Sequence, residues 1–210
     1  MYLNIRYQYL LLGLCFIRPK SIIEIGLARG IRSCQMVQLA MKYNPEVKYY
    51  GYDVFETKDD NWHKLVGNGK QVTSKQIIEN NLKKLTSNFE LIEGMTSDTL
   101  WTKPNKADYV WLDGDHRLES IKKDYEALKE SKVIVFDDYY TKGEHNGFKI
   151  DEFGCNQIVE NFEKENIIIS PETKKFPEVR IVFWSKDKSL ISKLNIFLSS
   201  KDMIRDYLSI

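Results

Sequence analysis

The sequence predicts one α/β domain built on a mostly parallel seven-stranded sheet, with an antiparallel last strand and helices on both faces. Its 210 residues fit a single domain, since domains usually contain about 100–200 residues. From residue 21 onward, apolar runs rich in β-branched and aromatic residues alternate with helix-like segments, which is typical of parallel strands joined by crossover helices. The predicted strands are Ser21–Gly26, Val47–Asp53, Asn88–Gly94, Ala107–Asp113, Lys132–Asp137, Asn166–Ser170 and Val179–Trp184.

An apolar segment, Tyr9–Ile17, precedes the sheet and follows a single arginine, Arg6, as the core of a secretion signal would. It is too short to span a bilayer, and it has no small-residue cleavage site. It also runs through Arg18 and Pro19 directly into the first strand. We therefore expect a buried N-terminal helix rather than a signal peptide.

Helical periodicity recurs between the strands. Ile31–Tyr43 carries apolar residues at helical spacing after the first strand, and a helix is expected at Cys155–Glu165, after the fifth. The last two strands are joined only by Pro171–Pro177, which is too short for a crossover helix, so these strands should be antiparallel neighbours. Between the fourth and fifth strands, an apolar stripe with the same helical period is formed by Leu118, Ile121, Tyr125 and Leu128.

The C-terminal segment Lys188–Ile210 has apolar positions that predict one or two short helices, packed on the domain or on a second subunit. The predicted organisation is an N-terminal helix in residues 1–20, a central domain in residues 21–185 and a helical tail in residues 186–210. An apolar tail of this kind would suit a homodimer.

Composition narrows the classes of partner. The 31 Lys and Arg residues balance 30 Asp and Glu residues, which leaves a net charge of +1. This balance gives no general attraction to nucleic acid or to an anionic membrane, so we expect neither as a partner. The three cysteines lie far apart without a CxxC pair, which argues against a disulfide framework or a zinc site and favours reduced thiols in the cytoplasm.

Two polar segments without clear periodicity, Phe55–Lys75 and Tyr139–Gly154, each follow the carboxyl end of a strand. Ligands of open α/β sheets bind outside the carboxyl ends of the strands. These segments are therefore predicted to be lids or substrate loops, with plain surface loops as the alternative.

A turn rich in small residues lies where the first strand meets the first crossover helix, and it contains Gly26, Ala28 and Gly30. Small residues let the backbone approach a ligand, and the helix N-terminus offers unsatisfied N–H groups. A dinucleotide fingerprint would need another glycine near position 31, where Ile31 stands, so a pyrophosphate fits poorly. Glu24, inside the strand, suits a cationic amino-acid ligand better.

Carboxylates cluster at the ends of two further strands. Asp113, Asp115 and His116 close the fourth strand, and Asp137 and Asp138 close the fifth. If these strands are neighbours, their carboxylates converge and repel each other unless something positive compensates. A hard cation such as Mg²⁺ would do so and would help a bound hydroxyl to lose its proton. Turn and helix-capping roles are the alternatives for these residues.

The pattern E-x-G-x-A-x-G after the first strand, with Asp53 closing the second, resembles the Rossmann-like class I S-adenosylmethionine-dependent methyltransferases. The resemblance implies that the small-residue turn surrounds the methionine part of the cofactor and that Asp53 holds the ribose hydroxyls. It also implies that Gly94 and Met95 border the adenine. The implied cofactor-binding residues are Glu24, Gly26, Ala28, Gly30, Asp53, Gly94, Met95 and Asp113.

The D-G-D at 113–115, followed by D-D-Y at 137–139, resembles the metal-dependent macrocin-type sugar O-methyltransferases and, more distantly, the catechol type. This resemblance implies that Asp113, Asp137 and Asp138 bind Mg²⁺. His116 stands where the catechol group has a lysine base, and Asp113 or Asp115 could serve as the base instead.

The expected function is Mg²⁺-dependent transfer of a methyl group from S-adenosylmethionine to a hydroxyl of a sugar or small metabolite. The alternatives are a metal-independent methyltransferase with another acceptor and a non-catalytic binding module with the same fold.

Overall fold

The computed structural model describes residues 6–57, 73–103, 105–142, 144–145, 148–150 and 152–200. The helices are α1 (Tyr7–Ile17), α2 (Ile31–Met41), α3 (Lys75–Lys83), α4 (Leu118–Leu128), α5 (Asn156–Val159) and α6 (Lys188–Ser199). The strands are β1 (Ser21–Ile25), β2 (Lys48–Asp53), β3 (Phe89–Glu93), β4 (Tyr109–Leu112), β5 (Ile134–Tyr140), β6 (Glu144–His145), β7 (Phe148–Lys149), β8 (Ile167–Ile169) and β9 (Val179–Trp184).

Seven of these strands form one sheet in the order β3-β2-β1-β4-β5-β9-β8. The first five in this order are parallel, and β9 runs antiparallel to both of its neighbours, β5 and β8. The prediction of a mostly parallel sheet with an antiparallel last strand is confirmed. The strand order reverses between β1 and β4, so a crevice is expected outside the carboxyl ends of these two strands.

Successive side chains of each strand point to opposite faces of the sheet, and this divides the core into two layers. On β1, Ile22 faces one layer and Ile23 the other, as the period of two requires. Buried residues of α1, α2, α3 and α6 belong to the first layer, and those of α4 and α5 belong to the second. The sheet is therefore covered by helices on both faces.

The N-terminal helix is confirmed and is tightly seated on the sheet. The Tyr109 hydroxyl of β4 donates a hydrogen bond to the carbonyl of Leu10, at 2.7 Å. At Gly13 a Cβ would lie 2.4 Å from Cε1 of Phe183 on β9, so only glycine lets the helix approach this closely. None of the described helices is long and apolar enough to cross a membrane.

The helix predicted at Cys155–Glu165 is wrong in length, since α5 ends at Val159. Tertiary packing explains the difference. The chain turns after α5 so that the ring of Phe162 lies 5.1 Å from that of Tyr125 and 5.4 Å from that of Trp184. A continuing helix would give up these aromatic contacts.

In other segments the structure differs from the sequence predictions or describes only part of the predicted element. The predicted loop Tyr139–Gly154 contains the short antiparallel pair β6 and β7, and the helix α3 was not predicted. Most of the predicted loop Phe55–Lys75, residues 58–72, lies outside the described residues, as do residues 201–210 of the tail. The described part of the tail forms α6, which packs on the domain.

We predict that Gly13→Ala lowers the free energy of unfolding by about 1–3 kcal/mol, because the new methyl group overlaps Phe183. At a solvent-exposed position inside a helix, the same change would raise the free energy of unfolding by up to about 1 kcal/mol. Thermal unfolding should show a midpoint lower by about 2–12 °C. Ser192→Ala, at an exposed position of α6, is the control and should change little. A higher midpoint for Gly13→Ala would contradict the close seating of α1.

Candidate active site

The turn after β1 has an unusual backbone. Gly26 (φ 85°), Ala28 (φ 50°) and Gly30 (φ 67°) all adopt the left-handed region. A Cβ on Gly26 would lie 2.1 Å from the carbonyl oxygen of Asp113, so the turn passes directly against the end of β4. Gly26 is therefore needed for this crossing of two backbone segments.

Asp53, at the end of β2, fastens this turn. One carboxylate oxygen accepts hydrogen bonds from the backbone N–H groups of Leu27 (2.5 Å) and Ala28 (3.1 Å). The other accepts from the N–H of Phe55, at 2.6 Å. The acid that the resemblance assigns to the ribose thus lies beside the turn and holds its shape.

A cavity of about 350 Å³ opens beside the turn, at the expected reversal of strand order. Of the predicted cofactor residues, it is lined by Glu24, Gly26, Ala28 and Asp113. Gly94 lies at the neighbouring strand end, where its N–H donates to the carbonyl of Asp53 at 3.0 Å. The lining residues that were not predicted are Tyr7, Leu27, Arg29, Ile31 and Arg32.

Glu24 is the buried carboxyl group of this cavity, with 1% of its surface exposed. The hydroxyl of Tyr49 donates a hydrogen bond to it. Burial raises the pKa of Glu24 to about 8, and the nearby charges of Asp113 and Asp53 add to the rise. Glu24 is consequently mostly protonated in the free protein at neutral pH, and a cation placed beside it would favour the charged form.

The carboxylates at the ends of β4 and β5 do converge. Asp137 and Asp138 are buried, and both Nδ1 of His116 and a guanidinium reach the side chain of Asp138. His116 is also buried; its Nδ1 lies 3.0 Å from Oδ2 of Asp138 and its Nε2 3.7 Å from Oδ1 of Asp113. We call Asp113, Asp137 and Asp138 the acidic cluster.

The positive charge that compensates the acidic cluster comes from the start of α1. Arg6 donates from Nε to Oδ1 of Asp137 (2.5 Å) and from Nη2 to Oδ2 of the same residue (2.9 Å). Nη2 also reaches Oδ1 of Asp138, at 3.1 Å. Burial raises the pKa of Asp137 to about 6, an effect that Arg6 opposes and that the charges of Asp138 and Asp113 reinforce.

Tyr7 joins the cluster to the cavity. Its hydroxyl lies 3.4 Å from Oδ2 of Asp137, and its ring meets Trp111 edge to face at 6.0 Å. The guanidinium carbons of Arg6 and Arg32 lie 4.7 Å and 4.4 Å from the centre of the same ring. One aromatic side chain therefore borders both the cavity and the buried ion pair.

The predicted Mg²⁺ ligands do not fit a metal ion in this arrangement. Mg²⁺ binds carboxylate oxygens at about 2.0–2.1 Å. Both oxygens of Asp137 are engaged by Arg6, and the two oxygens of Asp138 face Arg6 and His116. Among the described residues, no group of three or more His, Cys, Asp or Glu side chains is arranged to hold a metal.

Asp115, one of the candidate bases, is engaged by residues at the start of α4. It accepts hydrogen bonds from the side chain of Arg117 and from the hydroxyl of Ser120, the latter at 2.6 Å. Burial acts to raise the pKa of Asp115, but these hydrogen bonds outweigh it and the pKa lies below its usual value. The backbone N–H of Arg117 also donates to Asp115, at 3.0 Å, which is a turn contact, and no side-chain capping hydrogen bond forms at the start of α4. A catalytic role for Asp115 stays a prediction.

The end of β5 is held in a strained shape. Asp138 has a φ of 55°, at an irregularity in the pairing of β5 with β9. The side-chain amide of Asn156 accepts from the N–H of Tyr140 (2.9 Å) and donates to its carbonyl (2.8 Å), as a neighbouring strand would. The N–H of Gly154 donates to the carbonyl of His116 at 2.9 Å. Residues 154–156 therefore contact both the loop after β4 and the end of β5.

Sequence reasoning missed Arg6, Tyr7 and Asn156. The signal for Arg6 was a single cation at the start of an apolar helix, and it was interpreted only as part of a possible secretion signal. Asn156 lies in a segment predicted to be helical, where a buried asparagine pairing with a strand end has no local signature.

Comparison with known proteins agrees with this geometry. Residues 23–139, more than half of the chain, match a family described as a methyltransferase domain. This match begins in β1 and ends in β5, so it includes the turn, Asp53 and the acidic cluster. The chain belongs to this methyltransferase family. A search of curated protein sequences gave no match.

Solved structures share the fold at low sequence identity. The O-methyltransferase TomG from Streptomyces achromogenes, solved with S-adenosylmethionine, is 16% identical over 86% of this chain and 79% of that one, with a TM-score of 0.57. An O-methyltransferase from Bacillus cereus, solved with S-adenosylhomocysteine, is 16% identical over 85% and 80%, with a TM-score of 0.55. A spermidine synthase from Thermotoga maritima is 18% identical over 90% and 61%, with a TM-score of 0.54. At these identities the likeness establishes the fold alone.

We predict that Asn156→Ala destabilises the protein by at least about 2 kcal/mol, because it leaves two buried backbone groups of Tyr140 unpaired at about 1–3 kcal/mol each. Urea unfolding measures the change. Asn161→Ala is the matched control, since the Asn161 side chain is exposed, and it should stay within about 0.5 kcal/mol of wild type. Equal destabilisation by the two variants would contradict the role of Asn156.

Proposed function

We propose that the protein is an S-adenosylmethionine-dependent O-methyltransferase that acts on a hydroxyl of a sugar or other small metabolite. The observation that carries the proposal is the position of the cavity. Its lining includes Glu24 and the small-residue turn together with Asp113, the outermost member of the acidic cluster. A methyl donor in the cavity would therefore lie beside a group able to accept a proton.

The turn suits the amino-acid part of the donor. Its left-handed backbone brings the chain close to a ligand, and the buried carboxyl of Glu24 complements an ammonium group. Asp53, fastened at the neighbouring strand end, is the group we assign to the ribose hydroxyls. The solved O-methyltransferases with bound S-adenosylmethionine or S-adenosylhomocysteine support the choice of cofactor.

The acidic side of the cavity suits a hydroxyl acceptor. Methyl transfer to a hydroxyl releases its proton, and the oxygen must approach the methyl carbon in line, at about 3–3.5 Å. Asp113 lines the cavity and would accept this proton, with the imidazole of His116 behind it. His116 is in turn oriented by Asp138, at 3.0 Å.

Two measurements test the proposal. Calorimetry with S-adenosylhomocysteine should show one bound molecule per chain, and label from methyl-tritiated S-adenosylmethionine should pass to hydroxylated sugars or small metabolites. Absence of binding would favour a non-catalytic module with this fold. Binding with transfer only to amines would favour the alternative acceptor class.

We predict that the affinity for S-adenosylhomocysteine rises with pH between about pH 6 and about pH 8. The ammonium group of the ligand would favour ionised Glu24, whose pKa of about 8 in the free protein means that binding releases a proton. The limit is about tenfold in affinity per pH unit, and the effect ends once Glu24 is already ionised. Calorimetric titrations across this range measure it.

Glu24→Gln is the matched control, because it keeps the shape of the side chain and cannot ionise. Its affinity should be nearly independent of pH over the same range. A wild-type affinity without pH dependence would show that the ammonium group does not contact Glu24, even if the ligand binds.

A further inference from the structure

We infer that Arg6 is the resident cation of the acidic cluster and replaces the divalent metal that the sequence pattern implies, so that methyl transfer needs no metal ion. The claim that methyl transfer needs no metal rests on the proposed function. The claim that Arg6 occupies the acidic cluster does not, because it concerns only the contacts within the cluster.

The geometry of the ion pair carries the inference. The guanidinium meets Asp137 through two hydrogen bonds, at 2.5 Å and 2.9 Å, and Asp138 through a third at 3.1 Å. This two-pronged contact matches the planar fork of arginine and engages both oxygens of Asp137. A hard cation bound to those oxygens would lie close to the positive charge of the guanidinium, and this repulsion favours binding only when the guanidinium is displaced.

Burial makes that displacement costly. The side chain of Asp137 is 1% exposed and that of Arg6 is 14% exposed. Expelling the guanidinium would leave α1 with an unpaired charge beside the Tyr7 ring, and a buried charge without its partner is strongly destabilising. The seat of α1 on β4 and β9 keeps the first turn of the helix at the cluster.

The remaining contacts of the cluster agree with a cation supplied by the chain. Oδ2 of Asp138 faces Nδ1 of His116, which orients the ring toward Asp113. Arg6 acts as a positioning residue: it neutralises Asp137 and Asp138, and thereby fixes the carboxylate that holds His116. Unlike a bound metal, it would not acidify a coordinated hydroxyl, so the one proton released would go to Asp113, with His116 behind it.

Mn²⁺ titration tests this arrangement directly, because carboxylate sites that suit Mg²⁺ also bind Mn²⁺ and free Mn²⁺ gives an electron paramagnetic resonance signal. Wild type should bind Mn²⁺ weakly. Arg6→Met should bind it at least about tenfold more tightly, because the carboxylates lose their cation. The added substitution Asp137→Asn should remove this gain.

Arg32→Met is the matched control. Arg32 also lies over the Tyr7 ring, at 4.4 Å, and lines the cavity, but it donates to Gln35 instead of Asp137. Its loss should not create Mn²⁺ binding. A gain in Arg6→Met alone would show that the effect comes from the acidic cluster rather than from a change of net charge.

Tight binding of one Mn²⁺ by wild type that Asp137→Asn abolishes would overturn the inference, and so would a folded Arg6→Met that gains no Mn²⁺ affinity. If Arg6→Met does not fold, the Mn²⁺ titration of wild type decides alone, since weak binding supports the inference.

For catalysis, wild-type turnover should stay within about twofold in excess chelator. Failure to bind S-adenosylhomocysteine would defeat the proposed function and leave the Mn²⁺ result standing.

Discussion

Neutralisation of like charges at one edge of the sheet is the constraint on which the site depends. Parallel pairing of β4 with β5 brings Asp113, Asp137 and Asp138 to the same rim, and burial makes their repulsion severe. The guanidinium of Arg6 at the start of α1 and the imidazole of His116 in the loop after β4 contact these carboxylates and compensate their charge. The contact with Asp138 orients His116, while the packing of α1 on β4 and β9 and the pairing of Asn156 with Tyr140 hold the compensating groups in place.

The two halves of the site are joined by backbone rather than by side chains. The turn after β1 crosses the end of β4 so closely that a Cβ on Gly26 would overlap the carbonyl of Asp113. Asp53 fastens the same turn from the other side. The turn that we assign to the donor and the strand end that we assign to the acceptor are therefore held in register by close backbone contact.

Much of this could be predicted from the sequence, because it depends on local patterns. Strand alternation, the small-residue turn and the acids at strand ends are local in sequence, and the order of the strands places them at one rim. Arg6 could not be assigned in this way, since its partner lies 131 positions away and the pairing depends on how α1 packs. The length of α5 likewise depended on aromatic contacts of Phe162 that local helix propensity does not encode.

The close seating of α1 has a consequence for the spacing of residues in this helix. Gly13, where the helix touches Phe183, lies seven positions after Arg6, which is nearly two helical turns and puts both residues on the same side of the helix. Insertion or deletion of one residue between them would rotate Arg6 by about 100° away from Asp137. The length of this segment is therefore as strictly constrained as the identity of its residues.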